Sequence, residues 1–125
     1  MLVNNAGISR VLPAVDDDIV GFRHELEVDL IAPYELARRA ARWWIVNNHP
    51  GVVVNLGSVL GEGSGGRLRL PGYAAAKGGL HNLTRELAAQ WARKGIRVNA
   101  LAPAWFETEM NSDAMFHNDS GIAYV

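Results

Sequence analysis

The sequence predicts an α/β fold: a parallel sheet of about three strands with long helices crossing between them. Three observations predict it. Short apolar or β-branched runs occur at "MLVNNAG", "GVVVNLGS" and "IRVNALAP". Segments with helical spacing separate them, and each run stops at glycine, serine or proline. Strand–helix–strand–helix–strand implies right-handed crossovers between parallel strands, so both long helices cover one face of the sheet.

Each element has its own signals. The opening run breaks at Gly7, as a brief buried strand meeting a loop. Asp16, Asp17 and Asp18 supply a cap and first-turn acids for a helix that runs to about Asn48. Within it Leu26, Leu30, Leu36 and Ala40 recur at near-helical spacing, and Pro33 predicts two helices or one kinked one. "HPGVVVNLGS" reads as a turn, a fully buried strand and a turn. Residues 59–71 are glycine-rich and irregular. "YAAAKGGLHNLTRELAAQWARKG" is a long helix with Gly95 at its C-cap, and Pro103 ends the third strand. The remainder has no firm pattern beyond a loop with a possible short helix.

Composition excludes several classes. At 125 residues, 49% hydrophobic and 20% charged, the chain suits one globular domain. The net charge is −1 and the arginines are scattered, so no nucleic-acid footprint is present. There is no cysteine, which removes disulfides and thiolate metal sites, and the histidines show no ligand spacing. No signal-peptide pattern or 18-residue apolar span occurs, giving a cytoplasmic expectation without membrane partners. Asn82-Leu-Thr84 and Asn118-Asp-Ser120 match a glycosylation pattern by chance. Trp43, Trp44 and Trp91 read as core or subunit-interface packing, Asn99 as structural, and Glu107 and Glu109 as solvated.

Ligands of open parallel sheets bind beyond the carboxyl ends of the strands. Those ends carry Asn4–Gly7, Asn55–Ser58 and Ala102–Thr108, and the next helix opens with Tyr73 and Lys77. Being i and i+4, these two share a helix face. A tyrosine hydroxyl titrates near pH 10, too high for a base at neutral pH, and a neighbouring ammonium favours the phenolate. A serine from the adjacent strand end would hold a substrate oxygen beside the phenol.

At these residues the chain resembles the short-chain dehydrogenases/reductases. "NNAG" (4–7), Ser58 after "VVVNLG", "YAAAK" (73–77) and "IRVNALAPAWFETEM" (96–110) occur in that family's order, from residue 1 to about 110. The resemblance implies a partial Rossmann-like, doubly wound sheet and an oxidoreductase using NAD or NADP to interconvert a secondary alcohol and a ketone. It implies Tyr73 as general acid/base and Lys77 as the group that lowers its pKa and holds the nicotinamide ribose. Ser58 would position the substrate oxygen. Asn4, Ala6, Gly7, Pro103 and Thr108 would lie along the cofactor. Substrates would be sugars, sugar acids or 3-oxoacyl thioesters, in a homodimer or homotetramer, with no metal.

Three departures from the family pattern qualify this. Asp29 in "EVDLIAP" stands where the family has the asparagine of "VNL" as a fourth catalytic residue. It would hold a relay water or pair with Lys77, so Asp29→Asn is expected to keep or raise turnover. Pro103-Ala104 replaces the usual Pro-Gly. The strand, glycine-rich turn and helix that receive the pyrophosphate do not precede "MLVNNAG". The expectation is therefore a single incomplete domain over 1–125, with Met1 an internal methionine. The alternative function is a non-catalytic remnant or a module that pairs with a full-length relative. "GEGSGG" (61–66) also matches G-x-G-x-x-G, but "RLRLPG" intervenes before the next helix. Those glycines are expected to wall the substrate pocket between Ser58 and Tyr73 instead.

Overall fold

The computed structural model describes residues 1–106. Strand β1 (Leu2–Asn4) leads through a loop to helix α1 (Ile19–Leu26), a π-helical turn (Glu27–Ile31) and helix α2 (Ala32–Val46). Strand β2 (Gly51–Leu56), two 3₁₀ turns (Val59–Gly61 and Gly66–Leu68), helix α3 (Pro71–Trp91), a third 3₁₀ turn (Ala92–Lys94) and strand β3 (Ile96–Leu101) follow. The sheet order is β1-β2-β3, all parallel, with Leu2 opposite Val53 and Val53 opposite Val98. This is the α/β arrangement the alternation predicts.

Along β2 the residues Gly51, Val53 and Asn55 are buried, and Ile96 and Val98 lie beside them on β3. They face α2 and α3, where Ala37, Ala41, Trp44 and Leu87 complete the core. Val3 and Leu101, on the opposite face, are 46% and 56% exposed. Gly95 ends the last 3₁₀ turn at φ 70°, a left-handed position that costs glycine nothing. No helix among the described residues is long and apolar enough to cross a membrane.

The aspartates divide differently from the expectation. Asp18 is the N-cap of α1, accepting from the Gly21 amide at 2.6 Å, while Asp17 and Asp18 both clamp Arg10. All three precede the helix, so none is a first-turn acid. A π turn interrupts the helix just before Pro33, which is the second residue of α2. Proline has no amide to donate back, and the Ala32 amide instead reaches Glu27 O, five residues earlier.

The buried stripe is also not the leucine stripe. Glu25, Asp29, Pro33, Ala37 and Ala41 are buried, whereas Leu36 is half exposed. The wide π turn keeps this four-residue step on one face, and two carboxylates therefore enter the interior. Glu25 is fully buried against Gly72 at the start of α3, and accepts the Arg10 amide at 2.9 Å. Burial pushes its carboxyl above the usual range. Trp44 is core and Trp91 packs against it, while Trp43 is exposed beside His49. Thr84, of the glycosylation-like match, is buried within α3 and bonded to Asn55 and Leu80.

Candidate active site

Four elements bring the candidate residues to the carboxyl edge of the sheet. Ser58 lies just past β2. It caps the 3₁₀ turn after it, its Oγ accepting from the Leu60 amide at 3.2 Å. Tyr73 sits in the first turn of α3, and Ser58 and Tyr73 line one cavity of about 310 Å³. Lys77, one turn further along, is buried at 4% exposure. Its ammonium donates to Leu56 O at 2.9 Å, pairs with Asp29 Oδ2 at 3.4 Å and lies 5.3 Å from the centre of the Tyr73 ring.

Asp29 occupies the π turn, fully buried, and accepts the Ile8 amide at Oδ1 (2.8 Å). Burial pushes its carboxyl up, while the Ile8 amide and Lys77 pull it back. Of the two roles considered for Asp29, the geometry contains the pairing with Lys77. That pairing changes the tyrosine. Tyr73 stands above its ordinary 10.0, chiefly through burial; hydrogen bonding with Ser58 lowers it and the Asp29 charge raises it. Burial thus acts against the depression expected from Lys77. The carboxylate at 3.4 Å offsets the ammonium before its field reaches the phenol.

The remaining candidates fall into two groups. Asn4, at the end of β1, is buried and donates to Asn55 Oδ1 (2.8 Å) and Pro33 O (3.3 Å). Asn55 in turn donates to Thr84 Oγ1 at 2.9 Å, so Asn4 anchors a network joining both strands to α3. Ala6 is exposed, Gly7 is half-buried, and Pro103 lines the Ser58–Tyr73 cavity. Thr108 lies outside the described residues, as do Glu107, Glu109, Asn118 and His117.

Space and spare polar atoms favour a polar ligand beside Gly7. A Cβ there would sit 3.2 Å from Asp29 Oδ2 and 3.4 Å from Lys77 Nζ. Asn4 Oδ1 and Asp29 Oδ2 are buried without a hydrogen-bond partner, the 3.4 Å ion pair being too long to satisfy the latter. A ribose hydroxyl is a donor of the right kind for such acceptors. The residues present fit a nicotinamide nucleotide.

The cavity wall corrects one expectation. "RLRL" (67–70), rather than the glycines of "GEGSGG", faces Ser58 and Tyr73; Gly65 and Gly66 line a neighbouring cavity. Gly61 instead packs against the α3 backbone, where a Cβ would meet Lys77 O at 2.8 Å.

His81 is a site residue that sequence reasoning missed. It is 4% exposed on α3. Its Nε2 accepts the Ser58 amide at 3.3 Å and its Nδ1 bonds Glu62 Oε1 at 2.7 Å, which assigns the hydrogen to Nδ1. Any side chain at Gly57 would collide with this imidazole. His81 thus fixes the backbone from which the Ser58 hydroxyl projects. His81→Ala is expected to lower kcat by about tenfold to a hundredfold with cofactor affinity unchanged. His81→Gln, still an acceptor, should recover part of it. An unaltered kcat with only a lowered Tm would make the role purely structural.

The comparisons with known proteins give the family and the fold. The family model described as short chain dehydrogenase matches residues 1–118. The chain belongs to the short-chain dehydrogenase family. It is 34% identical over 112 residues to 2-dehydro-3-deoxy-D-gluconate 5-dehydrogenase of Formosa agariphila, covering 90% of this chain and 41% of that protein. It is 40% identical over 110 residues to galactitol 2-dehydrogenase (L-tagatose-forming) of Cereibacter sphaeroides, covering 88% and 43%. Among solved structures, gluconate 5-dehydrogenase from Burkholderia cenocepacia in complex with NADP and tartrate superposes with a TM-score of 0.87 at 37% identity, over 96% of this chain and 46% of that one. The 4-hydroxyisoleucine dehydrogenase complexed with NADH gives 0.90 at 30%, over 98% and 49%. This short-chain dehydrogenase sequence thus spans less than half the length of these relatives.

Proposed function

We propose that this chain forms the catalytic part of a single Rossmann-like NAD(P)-dependent oxidoreductase domain that interconverts a small secondary alcohol and its ketone. One observation carries the reading: Ser58 and Tyr73 share a cavity, with the Lys77 ammonium held one turn below the phenol. A bound nicotinamide cofactor would supply hydride transfer to and from the carbinol carbon.

The residues do the rest. Ser58 Oγ and the Tyr73 hydroxyl hold the substrate oxygen. On alcohol oxidation the O–H proton passes to the Tyr73 phenolate as the C=O bond forms; on ketone reduction the Tyr73 hydroxyl donates it back. Lys77, Asn4, Ala6, Gly7 and Pro103, with Thr108, are proposed to hold the ribose and nicotinamide. Asp29 sets the charge that Lys77 presents to Tyr73. A raised Tyr73 keeps the phenol protonated at neutral pH, the form that donates on ketone reduction.

Exposed Tyr34, Leu36, Trp43 and Ile45 on α2 support a homo-oligomer built on this helix. A cytoplasmic location is part of the same proposal.

The test is direct. Quenching of tryptophan fluorescence by NADH or NADPH, followed by cofactor reduction with a secondary alcohol, is the expected result. Neither quenching nor turnover with either cofactor would refute it and leave the non-catalytic reading.

A further inference from the structure

The cavity beside Ser58 and Tyr73 has a one-sided distribution of charge. Among the described residues its only charged groups are Arg67 and Arg69. Much of the remaining wall is apolar, including Val11, Leu60 and Leu68. Neither guanidinium makes an ion pair or a side-chain hydrogen bond among the described residues. The nearby Arg10 and Arg85, by contrast, are paired with carboxylates.

The backbone beneath Arg69 is itself unusual. It holds φ 55°, one of two left-handed non-glycine residues described. Such a position costs an arginine about 1 kcal/mol or more, and glycine would occupy it freely. Two backbone bonds fix it: Leu12 N–H to Arg69 O at 3.0 Å and Arg69 N–H to Gly66 O at 3.3 Å. A strained backbone position thus sets Arg69, an exposed residue, between the Ser58–Tyr73 cavity and its neighbour.

We propose that the substrate oxidised at Ser58 and Tyr73 carries a carboxylate, held by Arg67 and Arg69: a short hydroxy acid rather than a neutral polyol or a carrier-bound thioester. This rests on the oxidoreductase reading of the same site. A guanidinium fork matches a carboxylate in two parallel hydrogen bonds, which fixes orientation as well as charge. Both arginines are exposed, so this contact lies at the solvent-facing rim of the cavity and is partly screened by salt. A cavity of about 310 Å³ lies at the small end of ligand sites and suits a molecule of a few carbons. With the carboxylate at the arginines, a hydroxyl further along the chain meets Ser58 and Tyr73.

Binding and turnover test this separately. Trp105 lines the cavity, so tryptophan fluorescence reports occupancy without cofactor. D-gluconate, tartrate and succinate are titrated against D-glucitol and threitol, with the wild type and with Arg67→Gln, Arg69→Gln and the double variant. The carboxylates are expected to bind at least about tenfold more tightly than the polyols, and the double variant to lose that preference. In turnover the same loss should appear in KM for hydroxy acids, with kcat little changed. Equal binding of acids and polyols, or a preference that survives the double substitution, overturns the proposal. Carboxylate binding that depends on the arginines without any cofactor reduction would support this site while sinking the oxidoreductase reading.

Discussion

Replacing Tyr73 by phenylalanine is expected to lower kcat by about 10²- to 10⁴-fold while leaving the fold intact. Among the described residues lining the cavity, the Tyr73 phenol is the one titratable oxygen. Ser58 is already engaged as a cap for the Leu60 amide, and Lys77 lies deeper, bonded to Leu56 O. The ring stays in Tyr73→Phe, so the packing and the contact with the Lys77 ammonium persist. Stability should move by no more than about 0.5 kcal/mol.

The pH profile separates this role from simple binding. Because Tyr73 stands above 10.0, alcohol oxidation by the wild type should keep rising with pH into the alkaline range as phenolate forms. Ketone reduction should fall over the same range, since the proton donor is lost. In Tyr73→Phe both limbs should vanish along with the activity. Steady-state rates in both directions, with Tm measured alongside, check this. A loss of less than tenfold, or an unchanged alkaline limb, would remove Tyr73 from the chemistry.

Much of this site was legible in the sequence, and the illegible parts share a physical cause. Tyr73 and Lys77 sit on one helix, so their juxtaposition follows from four-residue spacing alone. Three strands and their stops follow from β-branched runs and proline. His81, by contrast, meets Ser58 and Glu62 across separations of 23 and 19 residues, which no local pattern encodes. The stripe that packs inward on α1 and α2 was misplaced because hydrophobic periodicity points at Leu36. The π turn brings Glu25 and Asp29 inward instead. The available signal was a pair: Asp29 where an asparagine is usual, and a proline four residues later. Arg67 and Arg69, both exposed, carry no local signal; only the path of the loop sets them beside Ser58 and Tyr73.

Lys77→Met is expected to cost about 3–5 kcal/mol of stability at neutral pH, because it strands the Asp29 carboxylate in the interior. Asp29 is fully buried and Lys77 4% exposed, so little solvent screens the loss. The direction with pH follows from the carboxyl. Its folded-state pKa is raised above 3.8, and removing the lysine raises it further. Stability from such a group is complete below the unfolded value and declines as pH rises through the folded one. The deficit of Lys77→Met should therefore be small in acid and widen towards neutrality, as read by denaturant melts across pH. Asp29→Asn with Lys77→Met removes the stranded charge and should recover most of the stability, yet remain far less active, because no ammonium is left to hold the nicotinamide ribose. Asp29→Asn alone should keep or raise turnover and bring the alkaline rise to lower pH, since the lysine's field then reaches the phenol. A large loss of turnover in Asp29→Asn would mean that the carboxylate itself acts in catalysis, as a holder of a proton-relaying water and not as a brake on Lys77.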